Sequence, residues 1–137
     1  MKTFFDSSAF AKRYVLEEGS QLVEEICLRT TSLGLSIICI PELISAFNRK
    51  LKEKSLIPDD YYTLKSRLTE EIEDAIIINL TPSVVNTSIT LLESNNLRAM
   101  DSLHVACAIE WDAELFVSSD YRQIKAAQNA GLSVKHV

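Results

Sequence analysis

The sequence predicts an α/β fold, a three-layer sandwich with a mainly parallel central sheet flanked by helices. Three observations lead there. Short apolar runs without polar alternation recur along the chain and are separated by longer helical patterns, as when strands are covered on both faces. Glycine and proline are scarce, three of each in 137 residues, which leaves little chain for the many turns of a β-sandwich. The 47% hydrophobic and 24% charged residues are the balance of one globular domain with a full core, spanning residues 1–137.

The elements follow in order. Thr3-Phe4-Phe5 reads as a short buried strand, and Asp6-Ser7-Ser8 supplies capping chemistry for a helix from Ala9 to Glu17. Gly19-Ser20 breaks the chain before a second helix, Gln21 to Thr30, whose Leu22, Val23, Ile26 and Cys27 fall at helical spacing. Leu35 to Ile40 reads as the second strand. Pro41 suits the first turn of a helix running from Glu42 to Ser55. Pro58-Asp59-Asp60 opens a helix with Tyr61, Leu64, Leu68 and Ile72 on one face. Ala75 to Leu80 is the third strand, and Thr81-Pro82 opens a helix that ends at Asn95-Asn96. Asp101 begins a helix of small and apolar residues reaching Asp112. Glu114 to Ser118 is the fourth strand, and Asp120 to Ala130 is the last helix, stopped by Gly131. Leu132 to Val137 forms a terminal strand. No repeat, low-complexity tract or internal boundary interrupts this order.

Composition excludes several classes. No apolar run is long enough to span a membrane. The opening Met-Lys-Thr runs straight into a strand-like segment with no small-residue cleavage site, so no signal peptide is expected. Cys27, Cys39 and Cys107 lie among apolar neighbours at spacings that match no zinc pattern, which predicts buried reduced thiols and a cytoplasmic protein. The net charge of −5 argues against a basic nucleic-acid coat protein but leaves room for a nuclease, because bound cations cancel negative charge locally. No glycine-rich phosphate loop occurs.

Four carboxylates stand out by placement. Asp6 ends the opening apolar run. Asp120 follows Leu115-Phe116-Val117-Ser118-Ser119. Glu42 comes directly after Ile37-Ile38-Cys39-Ile40-Pro41, and Asp101 opens the stretch Ser102 to Ile109. Acids make up 19 of 137 residues, and helix N-termini favour them, so each one alone is explained as a cap. Capping does not explain why all four share the same context. In an open parallel sheet, ligands bind beyond the carboxyl ends of the strands. Asp6 and Asp120 follow strands, and Glu42 begins the helix after one, so three of the four belong at that edge. Asp101 follows a helix and is not placed by the same rule. Four carboxylates in one small volume stay ionised only with cations bound, and hard divalent ions take oxygen ligands.

The same segments resemble the motifs of a known family. Phe4-Phe5-Asp6-Ser7-Ser8-Ala9 resembles the opening motif of PIN-domain proteins, a strand followed by Asp-x-Ser. Pro41-Glu42-Leu43-Ile44-Ser45-Ala46 resembles the second, a Glu at a helix start, and Ala99-Met100-Asp101-Ser102-Leu103-His104-Val105-Ala106-Cys107-Ala108 the third, an Asp leading an Ala-rich helix. Phe116-Val117-Ser118-Ser119-Asp120 resembles the fourth, with Ser118 where Thr is common, and the Ala-Gly-Leu ending is similar too. The ordered set covers nearly the whole chain and is what brings Asp101 to the other three acids. The chain is similar in size and layout to the VapC-type toxins of toxin–antitoxin pairs. The resemblance implies a Mg²⁺- or Mn²⁺-dependent endoribonuclease, a homodimer, and a cognate antitoxin whose tail occludes the acidic pocket.

On that reading Asp6, Asp101 and Asp120 are metal ligands, and Glu42 is either a further ligand or the group that orients the attacking water. Ser8 and Ser118 are expected to hydrogen-bond the carboxylates. Arg13 and Arg98 are the candidates for phosphate contact, among cations that also include Lys12, Arg122 and Lys125. Tyr14 and Tyr121 are candidates for base stacking, Trp111 for packing, and His104 for a buried, hydrogen-bonded role. A non-catalytic RNA- or protein-binding module on the same scaffold is the alternative. A phosphoryl-transfer enzyme with Asp6 as nucleophile needs a second Asp two residues on, where this chain has Ser8.

Overall fold

A computed structural model describes residues 1–137. Five strands form one sheet: β1 (Lys2–Phe5), β2 (Ser32–Ser36), β3 (Ile76–Ile78), β4 (Leu115–Ser118) and β5 (Val134–His136), in the spatial order β3-β2-β1-β4-β5. Every pairing is parallel. Seven helices accompany it: α1 (Ser7–Phe10), α2 (Ser20–Arg29), α3 (Cys39–Lys52), α4 (Pro58–Asp74), α5 (Pro82–Ser94), α6 (Ala99–Glu110) and α7 (Tyr121–Asn129).

Two cores lie on opposite faces of the sheet, and neighbouring strand residues divide between them. Phe5, Leu35 and Val117 point into a core with Phe10, Val23, Leu43, Phe47 and Leu68 from α1 to α4. Phe4 and Phe116 point the other way, stacked with ring centroids 5.8 Å apart, into a core with Val84, Leu91, Val105 and Ile124 from α5 to α7. This is why the strands read as unbroken apolar runs. No helix is long and apolar enough to cross a membrane.

Strand order reverses at β1, with β2 and β3 on one side and β4 and β5 on the other. The carboxyl ends of β1 and β4 therefore flank the switch point where such sheets open a crevice.

Two expected elements are displaced. The second strand is Ser32–Ser36, not Leu35 to Ile40. Its register is set by β1, with Lys2 opposite Ser32 and Phe4 opposite Gly34, so it leaves the sheet at Ser36. The apolar run Ile37 to Ile40 instead carries the chain into α3, where Cys39 is fully buried and Pro41 and Glu42 fall in the first turn. The first helix also stops early. It passes at Phe10 into a 3-10 turn over Ala11–Arg13, where the amides of Tyr14 and Val15 both bond the Ala11 carbonyl and close the turn. Gly131 ends α7 at φ +93°, with its amide on the Gln128 carbonyl and that of Leu132 on Ala127.

Candidate active site

Asp6 leaves β1 as the N-cap of α1, and its carboxylate is 1% exposed. Four hydrogen bonds hold it. The Ala9 amide donates to Oδ1 at 3.0 Å, the Ser8 hydroxyl lies 2.8 Å from both oxygens, and Ser118 Oγ donates to Oδ2 at 2.8 Å. Capping and site-building are thus one arrangement here. Burial nevertheless pushes the Asp6 pKa up, and nearby His104 and these hydrogen bonds offset it only in part. Ser118, the last residue of β4, also takes the Asp120 amide at 2.9 Å, so one hydroxyl couples the ends of β1 and β4.

Asp120 caps α7 through the Arg122 amide at 2.9 Å. One turn later Gln123, 3% exposed, directs its side-chain amide at Asp101 Oδ1 (3.1 Å) and Asp120 Oδ2 (3.5 Å). Asp101 sits in the first turn of α6, which starts from the same edge of the sheet. Burial, the Asp120 charge and the Glu42 charge push the Asp101 pKa up, while His104 and the exposed Arg98 oppose the rise. Asp101, Asp120 and Glu42 therefore lie within one electrostatic neighbourhood.

Glu42 is held through a single oxygen. Its Oε1 accepts from Ser7 Oγ at 2.7 Å and from His104 Nε2 at 2.6 Å. Burial raises the Glu42 pKa, but the bonds from His104 and Ser7 outweigh it and the net shift is downward. Ser7 Oγ and His104 Nε2 are 3.3 Å apart, so the three groups form a closed triangle. His104 is 1% exposed and packs edge-on to Phe4, with ring centroids 6.5 Å apart. It is both buried and part of the site.

The four carboxylates share this edge without closing into one ligating cluster. No group of three or more His, Cys, Asp or Glu side chains is disposed to hold a metal ion. Each acid is drawn to its own donors, and the like charges of Asp101, Asp120 and Glu42 repel. The chemistry of the donors still fits a hard divalent cation. All are carboxylate oxygens, and Asp101 is raised first by burial and then by the neighbouring Asp120 and Glu42 charges, which a bound cation would offset.

The remaining predicted residues divide. Arg13 is turned away from phosphate contact. Its guanidinium pairs with Glu24 at 3.1 Å and Glu71 at 2.5 Å, a demand from α2 and α4 that local sequence does not reveal. Arg98, the N-cap of α6, has no ion-pair partner. Tyr14 is buried in the core, and Trp111 packs over Gly34. All three cysteines are free, Cys39 and Cys107 buried and Cys27 partly so. Burial pushes the Cys39 thiol up to about 12 and Cys27 to about 11, which removes both as thiolate nucleophiles. Ser7 and Gln123 are the residues that sequence reasoning missed. Gln123 stands three places after Asp120, on the same helix face, and that spacing is the signal that was available.

A cavity of about 670 Å³ opens from this edge between α1 and α3, bounded by Ser7, Ser8, Glu42 and Ser119 and farther out by Lys12 and Lys50.

No curated protein matches the chain. Among solved structures, a sarcin–ricin-loop-cleaving VapC toxin of Mycobacterium tuberculosis superposes with TM-score 0.70 at 11% identity, over 95% of each chain. VapBC2 from Rickettsia felis, bound to a DNA fragment from its promoter, gives TM-score 0.70 at 14% identity, over 100% of this chain and 99% of the other. FitAcB from Neisseria gonorrhoeae gives 0.70 at 14%, over 96% and 95%. At these identities the likeness is one of fold. The PIN domain family matches residues 3–129, nearly the full length, and takes in Asp6, Glu42, Asp101 and Asp120; the chain belongs to the PIN domain family.

Proposed function

We propose that the protein is a Mg²⁺- or Mn²⁺-dependent endoribonuclease acting as the toxin of a VapBC-type pair. The observation that carries this reading is the convergence of four acids on the β1/β4 switch point, with Asp6 buried and held by four hydrogen bonds. Asp6, Asp101 and Asp120 would hold the divalent ion, which when bound would supply a water of lowered pKa and offset charge on the phosphoryl oxygens. Glu42, fixed by Oε1, keeps Oε2 free to bind that ion or to orient the attacking water. Ser8 and Ser118 keep the Asp6 carboxylate in place, and Gln123 holds Asp101 and Asp120 together. Arg98, exposed beside Asp101, is the phosphate contact.

Structural relatives that are toxin–antitoxin complexes support a cognate antitoxin as partner. An acidic crevice suits a basic segment of that partner. Val85, Ile89 and Leu92 leave one face of α5 apolar and exposed, which supports a homodimer. Three unpaired cysteines support a reducing, cytoplasmic setting.

The absence of a closed ligating cluster favours one second reading, a non-catalytic RNA- or protein-binding module on the PIN scaffold. Mn²⁺ titration by calorimetry, together with cleavage of mixed-sequence single-stranded RNA, separates the two. The nuclease reading expects saturable Mn²⁺ binding and cleavage that Asp6→Asn abolishes. Full cleavage by Asp6→Asn would falsify the assignment, and neither binding nor cleavage by the wild type identifies the module.

A further inference from the structure

Beside the acidic crevice lies a second cavity of a different character. It measures about 410 Å³, lies between the C-terminal end of α5 and α7, and has seven lining residues. None of the seven is acidic, although the chain as a whole carries −5. Two are the cations Arg122 and Lys125, both exposed, three residues apart on one face of α7, and without an ion-pair partner. Asn95, Asn96 and Asn129 add amide groups, and Asn129 bonds Asn95 at 3.0 Å, which ties α7 to the end of α5. The last is Tyr121.

Tyr121 is 71% exposed, an unusual position for a large ring. The ring is held in place all the same. It stacks on His136 with centroids 3.9 Å apart and planes within 10°, and His136 Nε2 is 3.0 Å from the Ser119 carbonyl. One ring face is therefore covered and fixed while the other remains available. The cavity meets the catalytic edge through the backbone, because Tyr121 and Arg122 directly follow Asp120 and the Arg122 amide bonds its carboxylate.

We infer that this cavity is a nucleotide subsite for single-stranded RNA, binding a base and a phosphate that flank the bond cut at Asp6, Asp101 and Asp120. It rests on the ribonuclease reading above. Tyr121 offers a stacking platform that accepts any base, because every base has a π-face. Arg122 and Lys125 take the adjacent phosphates, and the asparagine amides offer donors and acceptors to the sugar and the base edge. A duplex cannot use the platform, because its bases are already stacked.

The test uses the full chain with Mn²⁺ and a mixed-sequence single-stranded RNA. It measures kcat and KM for cleavage, and binding by fluorescence anisotropy with Ca²⁺ replacing Mn²⁺. The double variant Arg122→Glu/Lys125→Glu is expected to raise KM and to flatten the slope of log affinity against log salt by about 1.4, the value for two phosphate contacts on a single strand. Tyr121→Ala is expected to weaken binding about tenfold, within the range for loss of one stacked base, while Tyr121→Phe keeps wild-type affinity. Both changes are expected to be much smaller for duplex RNA. Wild-type cleavage with unchanged KM and salt slope in the double variant overturns the subsite and leaves the ribonuclease reading intact. Equal losses on single-stranded and duplex RNA also overturn it, because they mark a general charge effect. No cleavage by the wild type overturns the ribonuclease reading itself.

Discussion

His104 Nε2 lies 2.6 Å from Glu42 Oε1, and this bond joins α6 to the first turn of α3 across the active edge. It requires the proton on Nε2, which leaves Nδ1, buried and without a partner, as an acceptor. An unpaired acceptor there is less costly than an unpaired N–H. The bond has two consequences. It holds Glu42 ionised, and it restricts the carboxylate to presenting Oε2. His104→Ala is expected to lower stability by about 1.5–3 kcal/mol, the range for a hydrogen bond to a charged group. It is also expected to weaken Mn²⁺ binding. His104→Gln keeps an N–H donor and should recover part of both losses. Urea unfolding and Mn²⁺ calorimetry on the two variants check this. Equal Mn²⁺ affinity in wild type and His104→Ala would show that Glu42 needs no such anchor.

Gly34 in β2 is set by packing and not by backbone conformation. A Cβ built there collides with the Trp111 ring, over which the Lys2 ammonium lies 4.6 Å from the ring centroid. Gly34→Ala is expected to destabilise by about 1–3 kcal/mol through overpacking. Trp111→Leu in the same chain should restore part of that loss by giving the methyl room. Thermal unfolding of the single and double variants measures the coupling, and strict additivity would rule out the contact as the cause.

Most of the fold was legible because burial on both faces leaves its mark on composition. Phe4, Phe5, Phe116 and Val117 all read as strand, since each faces one of two cores. The second strand was misplaced for the same reason. Ile37 to Ile40 is as apolar as any strand, and only pairing with β1 decides that the sheet ends at Ser36. In the candidate site, Asp6 and Asp120 were legible from their positions after β1 and β4, whereas Glu42 lies in the first turn of α3, six residues past the Ser36 end of β2, the strand expected to lead into it. Asp101 needed the resemblance between motifs, because α5 precedes it. The role of Arg13 was not legible, since its partner Glu71 lies 58 residues away. The Ser7–His104–Glu42 triangle was hidden likewise, because it joins three separate segments.

Gln123 is the only side chain that donates to both Asp101 and Asp120. Its carbonyl oxygen is buried and unpaired, so the residue is kept for its amide nitrogen. Gln123→Glu exchanges that donor for a third negative charge at nearly constant shape. The expected result is a loss of about 10–100-fold in metal affinity or in kcat/KM, the usual effect of removing a group that orients metal ligands. Gln123→Leu should cost less, since it removes the donor without adding charge. Cleavage assays at several Mn²⁺ concentrations distinguish the two, and equal losses would mean that the lost donor matters and the added charge does not.

Asp6 gives the clearest pH dependence. Its folded-state pKa lies above the ordinary 3.8, chiefly through burial. Between those two values the folded protein holds a proton that the unfolded chain has released. Stability is therefore fullest below 3.8, declines as pH rises through the folded-state value, and stays reduced above it. Each tenfold difference in proton affinity is worth about 1.4 kcal/mol. Asp6→Asn removes the buried charge, so without metal it is expected to melt at a higher temperature than wild type near pH 7.5. The gap should narrow as pH falls through the folded-state value toward 3.8. Glu42 works in the opposite sense: its lowered pKa contributes stability at neutral pH that is lost in acid, below 4.5. Mg²⁺ offers a second readout. If Asp6 is a ligand, the ion stabilises wild type at pH about 7.5 and does much less for Asp6→Asn, because only a ligand that prefers the folded state raises its melting temperature. Equal Mg²⁺ stabilisation of both proteins, measured by calorimetry, would place the ion elsewhere and leave the buried Asp6 as a cap for α1 alone.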